Sequence, residues 1–120
     1  MATEARLSRS ALSDIGGILA WSHTEFGEAA RQRYEALISA AIRHAAKSNG
    51  SILFKSRAEL DDTLLSWHLA NSTSHSRGGR VRTPRHFLLC RWEERALAVA
   101  RVLHDRQDPA LHYVPDTDWE

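Results

Sequence analysis

The chain has 120 residues and 13.5 kDa, enough for one domain with one modest core. Hydrophobic residues make up 42% and charged residues 26%, a globular balance rather than a disordered one. No apolar run approaches the ~20 residues of a membrane helix, and the amino terminus lacks the basic start and apolar stretch of a secretory signal. Cys90 stands alone, so no internal disulfide forms, and the expected compartment is the reducing cytoplasm.

The first half reads as helical. Ser8 is placed to cap a helix, because its hydroxyl can accept an orphan backbone N–H. Leu12, Ile15, Ile18, Leu19, Ser22 and Phe26 follow at spacings of three and four. Gly16 and Gly17 interrupt that helix at a cost of roughly 1 kcal/mol each, which calls for a close neighbour or leaves the helix soft. Gly27 ends it. Ala30, Tyr34, Leu37, Ile38, Ala41, Ile42 and Ala45 then form a second stripe, so a short link should fold the two helices into an antiparallel hairpin closed by "SNGS".

The second half changes period. "TLLSWHLA" (63–70), "RHFLLCRW" (85–92) and "ALAVARVL" (96–103) read as strands, the last two joined by a tight "EER" hairpin. Between the first two lies a Ser-, Gly- and Arg-rich loop in which "RGGR" reads as a turn. "EARLS" before the first helix is a candidate edge strand. The expected architecture is therefore α+β: an N-terminal strand, a helical hairpin, then a three-stranded antiparallel sheet with the helices on one face. An exposed sheet edge beside an apolar groove suits a partner segment.

Net charge is +1, but its distribution is uneven. From Arg77 to Arg106 eight arginines face only Glu93, Glu94 and Asp105, a local excess of five positive charges. Seven scattered histidines give no metal-ligand spacing, and no metal or other cofactor is expected. Cys90 lies in an apolar run as a core residue, and neither a Gly-x-Ser-x-Gly elbow nor a phosphate-binding loop occurs. RNA cleavage through the 2′-hydroxyl needs a base, an acid and a cation, which Arg101, His104 and Arg106 have the chemistry to supply. Strand parity, however, puts Arg101 and His104 on opposite faces. On its residues alone the "RVLHDRQD" knot stands open between a site, a docking surface and a solvated turn.

Three pieces resemble the ParE toxins of type II toxin–antitoxin modules, within the RelE/ParE superfamily. They are "LSRSALSDIGGILAWSHTEFGEAARQRYEALI", "RTPRHFLLCRW" and "VARVLHDRQDPALH", the last being close to the family's closing signature. Cys90 and Gln107 depart from the commoner aromatic and Met, the 71–83 loop is extended and basic, and the 113–120 tail is acidic. The resemblance implies a single toxin domain over 1–120 that inhibits DNA gyrase and cell growth, stabilises plasmids and is neutralised by a ParD-like antitoxin. It implies a binding poison rather than an enzyme, with no membrane association and no direct sequence-specific nucleic-acid binding. Trp21, Phe26, Tyr34 and Leu37 are the implied antitoxin contacts, and Arg85, Arg101, His104 and Arg106 the implied target-facing set. Two alternatives stand beside it. One is a RelE-type ribosome-dependent mRNA endonuclease using Arg101, His104 and Arg106, against which the scarcity of lysine (Lys47 and Lys55 only) weighs. The other is a member that binds its antitoxin but has lost toxicity.

Overall fold

A computed structural model describes residues 4–112. Strand β1 (Glu4–Leu7) leads into helices α1 (Arg9–Phe26) and α2 (Glu28–Ala46). Strands β2 (Lys55–Ser56) and β3 (Leu65–His68), a 3-10 helix (Leu69–His75), strands β4 (His86–Glu93) and β5 (Ala96–His104) and a single turn of helix α3 (Pro109–His112) follow. The sheet runs β1-β5-β4-β3-β2.

The α+β order matches the expectation, and the sheet differs in three details. It has five strands, because Lys55–Ser56 adds a two-residue edge to β3. It is mixed, because β1 pairs parallel to β5, Glu4 opposite Ala96 through Leu7 opposite Val99. Strand β3 is shorter than "TLLSWHLA", and its end, with part of the expected loop, winds into the 3-10 helix. That winding is local: the His68 ring accepts the Ala70 N–H at 3.0 Å and so caps it.

Ser8 joins three elements. Its Oγ accepts the Ala11 N–H at 2.9 Å as the α1 cap and donates to the Ala100 carbonyl at 2.6 Å, while its N–H reaches the Val99 carbonyl at 3.0 Å. Gly27, at φ 90°, both ends α1 and opens α2, which lets the helices turn with one residue between them. The first turn of α2 carries Glu28, whose carboxyl the Arg31 guanidinium holds down to about 2.

The main core lies between hairpin and sheet: Leu37, Ile38, Ala41 and Ala45 meet Trp67, Leu88, Cys90, Leu97, Val99 and Val102. Fully buried Trp67 spends its only donor on Ser72 Oγ at 3.0 Å. A smaller cluster of Leu64, Phe87, Leu89 and Leu103 lies under Leu60. The β4–β5 register shifts between Leu89 and Cys90, which pair with Arg101 and Val99, so Ala100 is an extra residue. Cys90 is buried and its thiol is pushed up to about 12, an inert core group.

Candidate interaction groove

The phase of α1 leaves part of its apolar surface outside. Ala11 and Ser22 are its buried residues, while Leu12, Trp21 and Phe26 are 58%, 56% and 67% exposed. Trp21 and Phe26 stack edge to face, ring centroids 5.5 Å apart. They open a groove of about 580 Å³ whose other walls include Ile18, Tyr34, Val81, His86 and His104.

Its polar floor is a short chain of donors and acceptors. The Tyr34 hydroxyl shares a hydrogen bond with His86 Nδ1 at 2.6 Å and accepts the Arg85 N–H at 3.2 Å. Burial pushes the Tyr34 phenol up to about 12. Burial, helped by the neighbouring His104 ring, brings His86 down to about 4, so at neutral pH His86 is uncharged. The His86 and His104 rings meet edge to face at 5.1 Å.

The rim is cationic: Arg33 from α2, and Arg80, Arg82 and Arg85 from the loop before β4. Among the described residues none of these four guanidinium groups has a hydrogen-bond or ion-pair partner. The loop reaches the groove because Gly78 lies flat on α2, where any Cβ would collide with the Cβ of Ala36. Gly79 turns the chain at φ 99° directly over Arg33. The "RGGR" turn is thus a docking device, and its adjacent glycines were the signal for it.

The expected site residues separate into three groups. Trp21, Phe26, Tyr34, Arg85 and His104 meet in this one groove, although the resemblance divided them between two partners. Leu37 is corrected: it is fully buried in the core beneath the hairpin and presents no surface to a partner. Arg101 and Arg106 lie outside the groove lining. Arg101 is held by Asp14 of α1 through Nε–Oδ2 at 2.7 Å and Nη2–Oδ1 at 2.8 Å, and also donates to the His112 carbonyl. Arg106 is exposed.

The ionisable knot at the end of β5 is largely a self-bonded turn. The His104 N–H donates to Gln107 Oε1 at 2.7 Å, the His104 carbonyl accepts the Gln107 N–H at 2.9 Å, and His104 Nδ1 accepts the Arg106 N–H at 3.0 Å. Gln107 therefore supplies an acceptor that Met would lack. Asp105 accepts from His68 Nε2 at 2.9 Å, and since His68 Nδ1 accepts a backbone N–H, the ring hydrogen is on Nε2. Register confirms the parity reading: Arg101 lies opposite Leu89 and His104 opposite His86, positions of opposite face.

Among the described residues no three of His, Cys, Asp and Glu are grouped to hold a metal ion, and no helix is long and apolar enough to cross a membrane. An exposed aromatic groove with a cationic rim has the make-up of a protein-interaction site, here built on a β-α-α-β sheet scaffold. Residues 5–109 match the family described as ParE toxin of type II toxin-antitoxin system, parDE. The chain belongs to this family, whose members are the toxin components of such modules. No curated protein sequence gives a match to it.

Proposed function

We propose that this toxin inhibits DNA gyrase and is neutralised by a ParD-like antitoxin whose amphipathic, acidic segment fills the Trp21–Phe26 groove. The single observation that carries the antitoxin reading is the exposed aromatic pair beside four arginines that have no partner among the described residues. An apolar surface of that kind gains by burial, and the guanidinium groups gain charge-assisted bonds from carboxylates on the same segment. Such a segment is disordered alone and folds on docking, so it pays its ordering cost at that moment.

The gyrase reading rests on the likeness of "VARVLHDRQDPALH" to ParE rather than to the ribosome-dependent relatives. It is supported by the fixed role of Arg101, whose side chain is committed to Asp14. On this reading the protein acts as a binding poison in the cytoplasm, with no cofactor.

The test is expression of the chain alone and with its antitoxin, alongside supercoiling and DNA-cleavage assays on purified gyrase. Growth arrest with accumulated gyrase-cleaved DNA, relieved by the antitoxin, is the expected result. Arrest with gyrase untouched and mRNA cut on ribosomes would overturn the gyrase reading. Separately, Trp21→Ala and Phe26→Ala are each expected to weaken antitoxin binding about 10- to 100-fold.

A further inference from the structure

The two helices cover one face of the sheet, and the other face holds a second cavity, of about 640 Å³, at the β2 edge. Strand parity builds it. Trp67 points into the helix-side core, so its neighbours Ser66 and His68 point the other way. The register sets Lys55 opposite Ser66 and Phe87 opposite His68 on that outer face. The Arg57 N–H reaches the Leu64 carbonyl at 2.8 Å, which continues the β2 pairing by one residue, so Arg57 shares the face of Lys55.

Arg57 is held in place by the fold itself. Its Nε donates to Ser66 Oγ at 3.1 Å, and its guanidinium carbon lies 5.4 Å from the centre of the Phe87 ring. Ser66 is 4% and Phe87 5% exposed, so both supports are themselves fixed by packing. The Arg57 Nη groups and the Lys55 ammonium have no hydrogen-bond or ion-pair partner among the described residues. The one carboxylate of the lining, Asp105, takes the His68 Nε2–H at 2.9 Å. His68 Nδ1 accepts the Ala70 N–H, so neither ring nitrogen is free to move a proton. The cavity is equipped to hold an anion and not to transform one. At its mouth Ile52 and Leu53 are 95% and 41% exposed, an apolar ledge beside the two cations.

We propose that this cavity binds a nucleotide, with Arg57 and Lys55 taking its phosphate and Ile52 and Leu53 lying against its base. A guanidinium whose plane is already fixed suits the paired oxygens of a phosphate, and the neighbouring ammonium adds a second charge. The volume is that of a small-molecule site, more than a lone anion fills. The Trp21–Phe26 groove lies on the helix side of the sheet, so the two sites share no lining residue.

The test titrates the full chain with AMP, inorganic phosphate and adenosine, followed by amide NMR. AMP should shift Lys55, Arg57, Ser66 and His68 to saturation, phosphate should shift the same residues with about 10-fold weaker affinity, and adenosine should leave them unmoved. Arg57→Lys keeps the charge but loses the fork, and should weaken AMP binding about 10-fold. Lys55→Gln, at an exposed position that leaves the Arg57 clamp intact, should weaken it about 3-fold, and decides alone if the Arg57 variant does not fold. A single-stranded trinucleotide that binds these residues more tightly than AMP would place the phosphate in a chain, and one that binds no more tightly would place it in a free nucleotide; the site stands in both cases. Absence of saturable shifts at these residues would overturn it. So would AMP shifts confined to Arg80, Arg82 and Arg85, or unchanged affinity in the folded variants.

Discussion

Asp14 on the first helix holds Arg101 and the Val102 amide of the last strand at once. Its Oδ2 accepts the Arg101 Nε at 2.7 Å and the Val102 N–H at 2.9 Å, and its Oδ1 takes the Arg101 Nη2 at 2.8 Å. Both side chains are largely shielded, 14% and 19% exposed, so the pair resists screening better than a surface bridge. Asp14→Ala takes the carboxylate from the Arg101 guanidinium and leaves the Val102 N–H without its acceptor, and should cost about 2–3 kcal/mol in urea unfolding. Arg101→Ala should cost less once Asp14 is already gone, and a strictly additive double mutant would refute the coupling. Loss of toxicity in Arg101 variants must accordingly be read beside their stability.

Tyr34 links the groove to the sheet through one oxygen. Tyr34→Phe keeps the ring but leaves His86 Nδ1 and the Arg85 N–H without their partner. The expected loss is about 1–3 kcal/mol, measured by denaturant titration. Antitoxin affinity should fall as well, because Arg85 is on the rim.

Acid should loosen the same region. His86 stays uncharged in the fold down to about 4, whereas in the unfolded chain it protonates near 6.5. Its folded value is depressed, so the unfolded state binds the extra proton first. The stabilisation is complete above pH 6.5 and is lost as pH falls toward 4, by about 1–2 kcal/mol at pH 5. His44 is shifted the same way, by burial and by the stacked His75 ring, and adds to the slope. Thermal melts from pH 7.5 to 4.5 should show it, and His86→Gln should flatten the lower half of the curve.

Glycines in this chain give predictions of opposite sign. A Cβ at Gly16 or Gly17 meets nothing within 4 Å, so replacing both with Ala should raise stability by about 0.5–1 kcal/mol per site. Gly78→Ala should lower it by about 1–2 kcal/mol, because the collision with Ala36 lifts the arginine loop off α2. Differential scanning calorimetry separates the two cases. The Gly78 variant should also bind antitoxin more weakly.

Much of the fold was readable because local signals agreed. Ser8, Gly27 and the two apolar stripes placed both helices, and the "EER" turn placed the β4–β5 hairpin. The parallel pairing of β1 was not readable, since nothing in "EARL" names a partner some ninety residues away. Strand β2 is two polar residues with no pattern at all. The site was half legible. Trp21 could be picked because it falls off the stripe, whereas Phe26 and Leu37 each sit on the apolar stripe of their own helix and end in opposite places, one outside and one in the core. The Arg80–Arg85 rim came from composition, but its approach to Arg33 depends on Gly78 lying flat, a tertiary fact.

The hydrogen bond from Ser8 to the Ala100 carbonyl spans 92 residues of sequence. The first strand therefore has no seat until β5 has been made, and β1 waits while the residues between them are synthesised. A nascent chain can form the helical hairpin early, since its contacts are local, but it cannot close the sheet. Toxin activity that depends on the closed sheet would thus appear all at once, only after β5 has been made. An antitoxin that recognised the hairpin alone would meet its target before that moment; one that needed β5 would meet it only after.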